Sequence, residues 1–313
     1  MKLSKILSLT LLGLTSLVPA KDIYVDQNNH SQNEDGTEIH PYKTIQKAIY
    51  NVQSGDIIKI SEGVYLEQPE LKVNTPFVIR GQGVDRTTIK GLNRNIFTSS
   101  VFYGERATSV TLENMTITNA WAGVFFKDCD NMRLEKILSI GNGEINAYIK
   151  GSRNTLINNC TMDGTSIYGE TQTGVDIEDW GQTLATTTTL TNSIICNHRD
   201  IGVELPHDGY GTLVSFNNFY NNSLSTDWRT SPTLINNISA DPLFKDKYQG
   251  KYELVSDNVT TAGMTLQSIS PCIDAGTSDF YHPDYFTDIG AFNKYGRLTS
   301  PPLNAVENWG EYK

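Results

Sequence analysis

Four short runs share apolar residues at their second and fourth positions, the period of two of a strand: GVFF (123–126), NAYI (146–149), GVDI (174–177) and GVEL (202–205). Each run follows another strand-like segment, MTIT, ILSI, CTMD or SIIC in turn, and a fifth such segment, FYNN, comes after the last run. No helical period fits these stretches, and β-branched residues, Gly and Asn dominate them. Aligning FKDCDNMRLEK (126–136) under IKGSRNTLINN (149–159) gives an offset of 23 residues and matches Phe126 with Ile149, Lys127 with Lys150, Asn131 with Asn154 and Leu134 with Ile157. The pattern recurs at Asn114, Lys136, Asn159, Asn192 and Asn218, at intervals of 22, 23, 33 and 26 residues, which we place at one equivalent turn. Periods of this size predict a β-solenoid whose coils stack and share a core. Asn at a repeated turn predicts stacked amides that bond the next coil's backbone.

Setting the four runs in register assigns their faces. Val124, Phe126, Ala147, Ile149, Val175, Ile177, Val203 and Leu205 face in. Phe125, Tyr148, Asp176 and Glu204 face out at one slot; Lys127, Lys150, Glu178 and Pro206 face out at the next. Coils stack at about 4.8 Å and same-side residues along a strand lie about 6.7 Å apart. Asp176, Glu178 and Glu204 are therefore expected to form a carboxylate triangle, with Lys150 one coil before Glu178.

Near the N-terminus, Ile45, Ala48, Ile49 and Val52 mark one helical face that would cover the open end of the coils, and Ser54-Gly55-Asp56 stops it. The segment YVDQNNHSQNEDGTEIHPYKTIQKAIYNVQSGDIIKISEGVYLE (24–67) resembles the opening of secreted bacterial proteins of the pectate-lyase-like superfamily, and DPLFKDKYQGKYEL (241–254) with SPCIDAG and DIGAF (270–276, 288–292) resembles their closing segment. The resemblance implies an all-β fold, a right-handed parallel β-helix with a short N-terminal capping helix. It also implies a substrate cleft along the strand face that carries the acids. It does not imply one function, because lyases, hydrolases, epimerases and adhesins share the fold.

Residues 1–20 read as a signal peptide: Lys2 and Lys5, an apolar run from Ile6 to Val18, and small residues ending at Ala20. The expected organisation is one domain over 21–296, with an opening and capping segment at 21–67, a closing segment at 241–296 and a tail at 297–313. A secreted or periplasmic monomer is the expectation, with no membrane insertion. The net charge of −10 becomes −12 once Lys2 and Lys5 are removed, which argues against nucleic acid and anionic lipid and handicaps an acidic polysaccharide unless positive groups or a cation act locally; a polysaccharide is the expected partner. Cys129, Cys160, Cys196 and Cys272 match no zinc spacing and read as small buried hydrophobes, with room for one bridge. The loop 26–36 fits a calcium loop only at Asp26 and Asn28, and reads as a turn-rich linker.

Chemistry concentrates around GVDIEDWG (174–181). The flanking stretches 163–173 and 179–189 are long, and insertions on both sides of one strand make groove walls. Tyr148, Tyr168, Trp180, Arg199 and His207 are the expected substrate-binding residues. Three chemistries fit. In β-elimination on a uronate polysaccharide, Asp176, Glu178 and Glu204 would hold calcium, Lys150 would be the base, and Lys127 or Arg153 would support it. In glycoside hydrolysis, Asp176 pairs with Glu204 or Glu178. In the third, the acids and lysines form a solvated ladder on a non-catalytic carbohydrate-binding or structural solenoid. His198 and His207 read as surface or hydrogen-bonding residues.

Overall fold

The chain is described by a computed structural model. It covers residues 19–244 except 73, 98, 167–168, 179–185, 206–210 and 229–231, and beyond 244 only the short pieces 254–255, 258–259, 271–272, 276–277, 286–287 and 289–290. The signal-peptide reading and the tail at 297–313 fall outside these residues.

Two large parallel sheets build the molecule. The site sheet orders its strands as Leu224–Trp228, Ile201–Leu205, Thr173–Glu178, Ile145–Lys150, Ala122–Lys127, Ser100–Glu105 and Glu70–Leu71. The second sheet is wider and bends. Its strands Val110–Thr118 and Arg133–Ile140 are each one long strand that turns a corner, at Asn114 (φ 57°) and Lys136 (φ 54°). Later coils make the same corner between two separate strands, at Asn159 and Asn192 (both φ 49°). The left-handed conformation that Asn adopts at little cost is what bends the chain there.

The corner position continues differently from the sequence expectation. Thr191 pairs with Ser215 and Ser215 with Ile235, so the residues after Asn192 in the series are Phe216 (φ 54°) and Asn236 (φ 49°), not Asn218. Asn218 lies two positions on and pairs with Ile194. The amide stack runs through the next position instead. Asn217 Oδ1 accepts from Ser193 N at 2.9 Å, Asn237 Oδ1 accepts from Asn217 N at 3.0 Å, and the Asn217 and Asn237 Nδ2 groups donate to Leu190 O and Val214 O. These side-chain amides take up backbone groups of neighbouring coils at the turn.

The core is the predicted in-facing set. Phe102, Val124, Ala147, Val175 and Val203 stack in register, beside Gly104, Phe126, Ile149 and Ile177; all the side chains are within 2 % of full burial. Gly104 faces Phe126 across the ladder, where an added Cβ would stand 3.1 Å from its ring. The cysteines are all buried, and none forms a disulfide. The capping helix is short, Ile45–Ile49, and Ile45, Ala48 and Ile49 enter the core cluster, with Val52 packed against it. Its first turn is closed twice: Thr44 Oγ1 accepts from Lys47 N at 3.2 Å, and the Glu67 carboxylate accepts from Ile45 N at 3.0 Å. Among the described residues, no helix is long and apolar enough to cross a membrane.

Candidate functional site

The outer face of the site sheet carries two rows. The first runs Tyr103, Phe125, Tyr148, Asp176 and Glu204, each paired in register with the next. The second runs Glu105, Lys127, Lys150 and Glu178. The alternation read from sequence holds at the described positions; Pro206 lies outside the described residues. One row changes from aromatic to acidic in a single step, between Tyr148 and Asp176.

Rings pack along the first row. Phe125 stacks on Tyr148 with centroids 4.6 Å apart, and Tyr103 meets Phe125 edge-on at 5.4 Å. Tyr148 also meets Trp121 at 6.0 Å, and Trp121 meets Phe97 at 4.9 Å. Trp121 and Phe97 escaped the sequence reading because they lie before their strands, outside the alternating runs. The only signal available was the large aromatic preceding GVFF.

The second row is ion-paired. Lys127 Nζ lies 3.0 Å from Glu105, and Lys150 Nζ lies 3.5 Å from Glu178. The Tyr148 hydroxyl donates to Glu178 Oε2 at 2.6 Å. Lys150, read from sequence as the base, thus sits against a carboxylate, within 5.8 Å of the Tyr148 ring centre.

Asp176 stands apart chemically. It faces outward as expected, yet it is only 7 % exposed, and its Oδ1 has no hydrogen-bond partner. Burial, and then the charges of Glu178 and Glu204, raise its pKa well above the usual carboxylate range, against a smaller opposing effect of Lys150. Tyr148 is also raised, by burial first and then by its bond to Glu178. The neighbourhood therefore favours a neutral Asp176 beside a protonated phenol.

Hard carboxylates are the right donors for calcium. Among the described residues, no group of three or more His, Cys, Asp or Glu side chains is placed to hold a metal ion. Glu178 is turned to Tyr148 and Lys150, and coordination would require it to leave both. The three acids are neighbours by register.

The other expected residues are dispersed. Arg153 lies in the turn past the sheet, paired with Asp130 at 2.9 Å. Arg199 lies at the opposite strand end, exposed, and pairs with Asp200 at 3.3 Å. Tyr168, Trp180 and His207 lie outside the described residues. His198 is buried and structural. Its Nδ1 meets Asn222 Oδ1 at 2.8 Å and its Nε2 meets Asn146 Nδ2 at 2.9 Å, a network that assigns the proton to Nδ1. Burial lowers its pKa to about 4.

A family model described as "Right handed beta helix region" matches residues 77–219. The solenoid is a right-handed parallel β-helix. Solved structures of similar shape include the following. An alginate lyase from Paenibacillus sp. str. FPU-7 is 14 % identical, with 70 % of this chain and 75 % of that chain covered and a TM-score of 0.56. A pectate lyase is 14 % identical over 89 % of this chain and 98 % of its own, with a TM-score of 0.46. A pectin methylesterase solved with a hexasaccharide is 12 % identical over 67 % and 82 %, with a TM-score of 0.39. No curated protein matches the sequence. At such identities the β-helix fold is what is shared, and the activity has to be argued from the site.

Proposed function

We propose that this β-helix is an exported, carbohydrate-active protein, and that its site sheet cleaves a uronate-containing polysaccharide by β-elimination. The observation that supports this is Asp176, a buried carboxyl whose Oδ1 has no hydrogen-bond partner and whose pKa burial raises, one coil from a tyrosine that is hydrogen-bonded to a carboxylate. Elimination needs the sugar's carboxylate neutralised, a base for the proton beside it, and an acid for the leaving oxygen. Neutral Asp176 donates to the substrate carboxylate, and Lys150 adds positive charge beside it. Glu178 takes the carbon-bound proton. Tyr148 gives its proton to the leaving oxygen and recovers one from Glu178. The net result is one proton moved from carbon to oxygen, with one C–O bond broken and one C=C bond formed. Export rests on the basic, apolar and small-residue sequence of 1–20.

A hydrolase is the second reading, favoured by the in-register pair Asp176 and Glu204. Coils about 4.8 Å apart bring two carboxyls near the separation of about 5 Å that suits a retaining pair. The test is to incubate the protein with alginate, polygalacturonate and a glycosaminoglycan, with calcium and with chelator. Ultraviolet absorbance of an unsaturated product that persists in chelator supports elimination by these side chains. Absorbance only with calcium supports elimination but requires Glu178 to rearrange. New reducing ends without absorbance move the assignment to hydrolysis. Binding with neither product makes the protein a carbohydrate-binding solenoid.

A further inference from the structure

One loop presents apolar side chains to water while being held firmly in place. Leu92, Ile96 and Phe97 are 61 %, 57 % and 72 % exposed. Between them, Arg94 is buried, and its guanidinium reaches into two other turns. Nη1 donates to Ser166 Oγ at 2.7 Å, and Nη2 donates to Asn142 O at 3.1 Å and Gly169 O at 3.0 Å. The loop backbone also lies directly on Gly143, where an added Cβ would stand 2.1 Å from Arg94 O. A buried guanidinium fastened to carbonyl oxygens is a costly anchor for a surface loop. Its effect is to fix Phe97 against Trp121, and Trp121 lies against Tyr148 of the acid site. Beside the loop is a depression of about 430 Å³ lined by Leu92, Asn93, Arg94, Asn95 and Asn119, mixing amides with an apolar wall.

We infer that Phe97 and Trp121 form a sugar-stacking subsite for an uncharged pyranose ring, next to the acid site and continuous with it through Tyr148. Pre-positioned aromatic rings recognise the C–H face of a sugar, and the neighbouring amides suit its hydroxyls. Large apolar side chains left exposed on a loop that is held in place suit an interaction site. This inference rests on the polysaccharide reading above and adds a substrate class to it. If the acid site takes a uronate and the ring pair takes an uncharged neighbour, the preferred polymer alternates the two kinds of sugar.

The experiment is a binding titration of the full chain with hyaluronan, which alternates a uronate with an uncharged sugar, and with polygalacturonate, which does not. The variants are Phe97→Ala and Trp121→Phe. Phe97 is mostly exposed, so its truncation leaves the core intact, and Trp121→Phe keeps an aromatic face. The expected result is tighter binding of hyaluronan by the unaltered chain. Phe97→Ala should weaken that binding by roughly tenfold, the weight of one aromatic contact. Trp121→Phe should weaken it less. A Phe97→Ala affinity within about twofold of the unaltered chain would overturn the subsite while leaving the polysaccharide reading in place. Preference for polygalacturonate would overturn the uncharged-sugar assignment. Failure of the unaltered chain to bind either polymer would overturn both readings.

Discussion

The Tyr148 hydroxyl donates a 2.6 Å hydrogen bond to Glu178, which sits on the next coil in register with Lys150. The three groups are therefore linked: a phenol proton, its acceptor, and a cation beside the acceptor. Tyr148→Phe removes the proton and leaves the ring stack on Phe125 in place. If Tyr148 protonates the leaving oxygen, turnover should fall by about 10²–10⁴, the usual weight of a positioned general acid. Folding stability should change by only about 1 kcal/mol, the net worth of one hydrogen bond. Product formation and a thermal melt of the same sample check both. A turnover loss below about tenfold would remove Tyr148 from the reaction.

Asp176 gives a prediction with a definite sign. Its folded pKa is raised above the unfolded value, so the folded state holds the proton over a pH range where the unfolded state has lost it. Stability from this group is complete below the unfolded value of about 3.9 and declines as pH rises toward the folded one. Asp176→Asn keeps the shape and removes the titration. Its stability should follow a flatter course with rising pH than that of the unaltered chain, and product formation should drop sharply. Parallel stability curves for the two proteins would show that Asp176 is ionised in the fold.

His198 works in the other direction. Its folded pKa, about 4, lies below the ordinary value of 6.5, because the imidazole is buried between Asn146 and Asn222. As pH falls below 6.5, the unfolded chain takes up a proton that the folded chain resists. Stability should then decline at up to about 1.4 kcal/mol per pH unit until pH reaches about 4. His198→Gln should abolish this acid-side slope, at the expense of overall stability. Chemical denaturation at a series of pH values measures the slope, and an unchanged slope in the variant would assign it elsewhere.

Gly143→Ala tests the loop without touching any proposed ligand contact. The new Cβ would meet backbone, Arg94 O at 2.1 Å, so the loop must move. The expected loss of stability is about 1–3 kcal/mol, as for other overpacked sites. Glycan binding should weaken with it, because Phe97 loses its position against Trp121. A destabilised variant with unaltered glycan affinity would separate the loop from binding.

Much of the β-helix was legible because a strand's alternation is a local property. Val124, Phe126, Ala147, Ile149, Val175, Ile177, Val203 and Leu205 declare their side by a period of two, and stacking identical sides puts Asp176 beside Glu204 and Lys150 beside Glu178. The corner series failed at Phe216 for a related reason. Asn is favoured at the left-handed corner but not required there, and Asn217 and Asn218 just beyond it offered a false match.

The sequence by itself determined the parallel coils, the inner and outer faces, and the row in which the acids lie. All three follow from short-range periodicity repeated over successive coils. The tertiary structure decided the rest. It turned Glu178 toward Tyr148 and Lys150, buried Asp176 so that its pKa is raised, and brought Phe97 against Trp121. Those outcomes depend on rotamer choice, on solvent exclusion by neighbouring coils, and on a loop fastened by a distant guanidinium. None of these has a period along the chain.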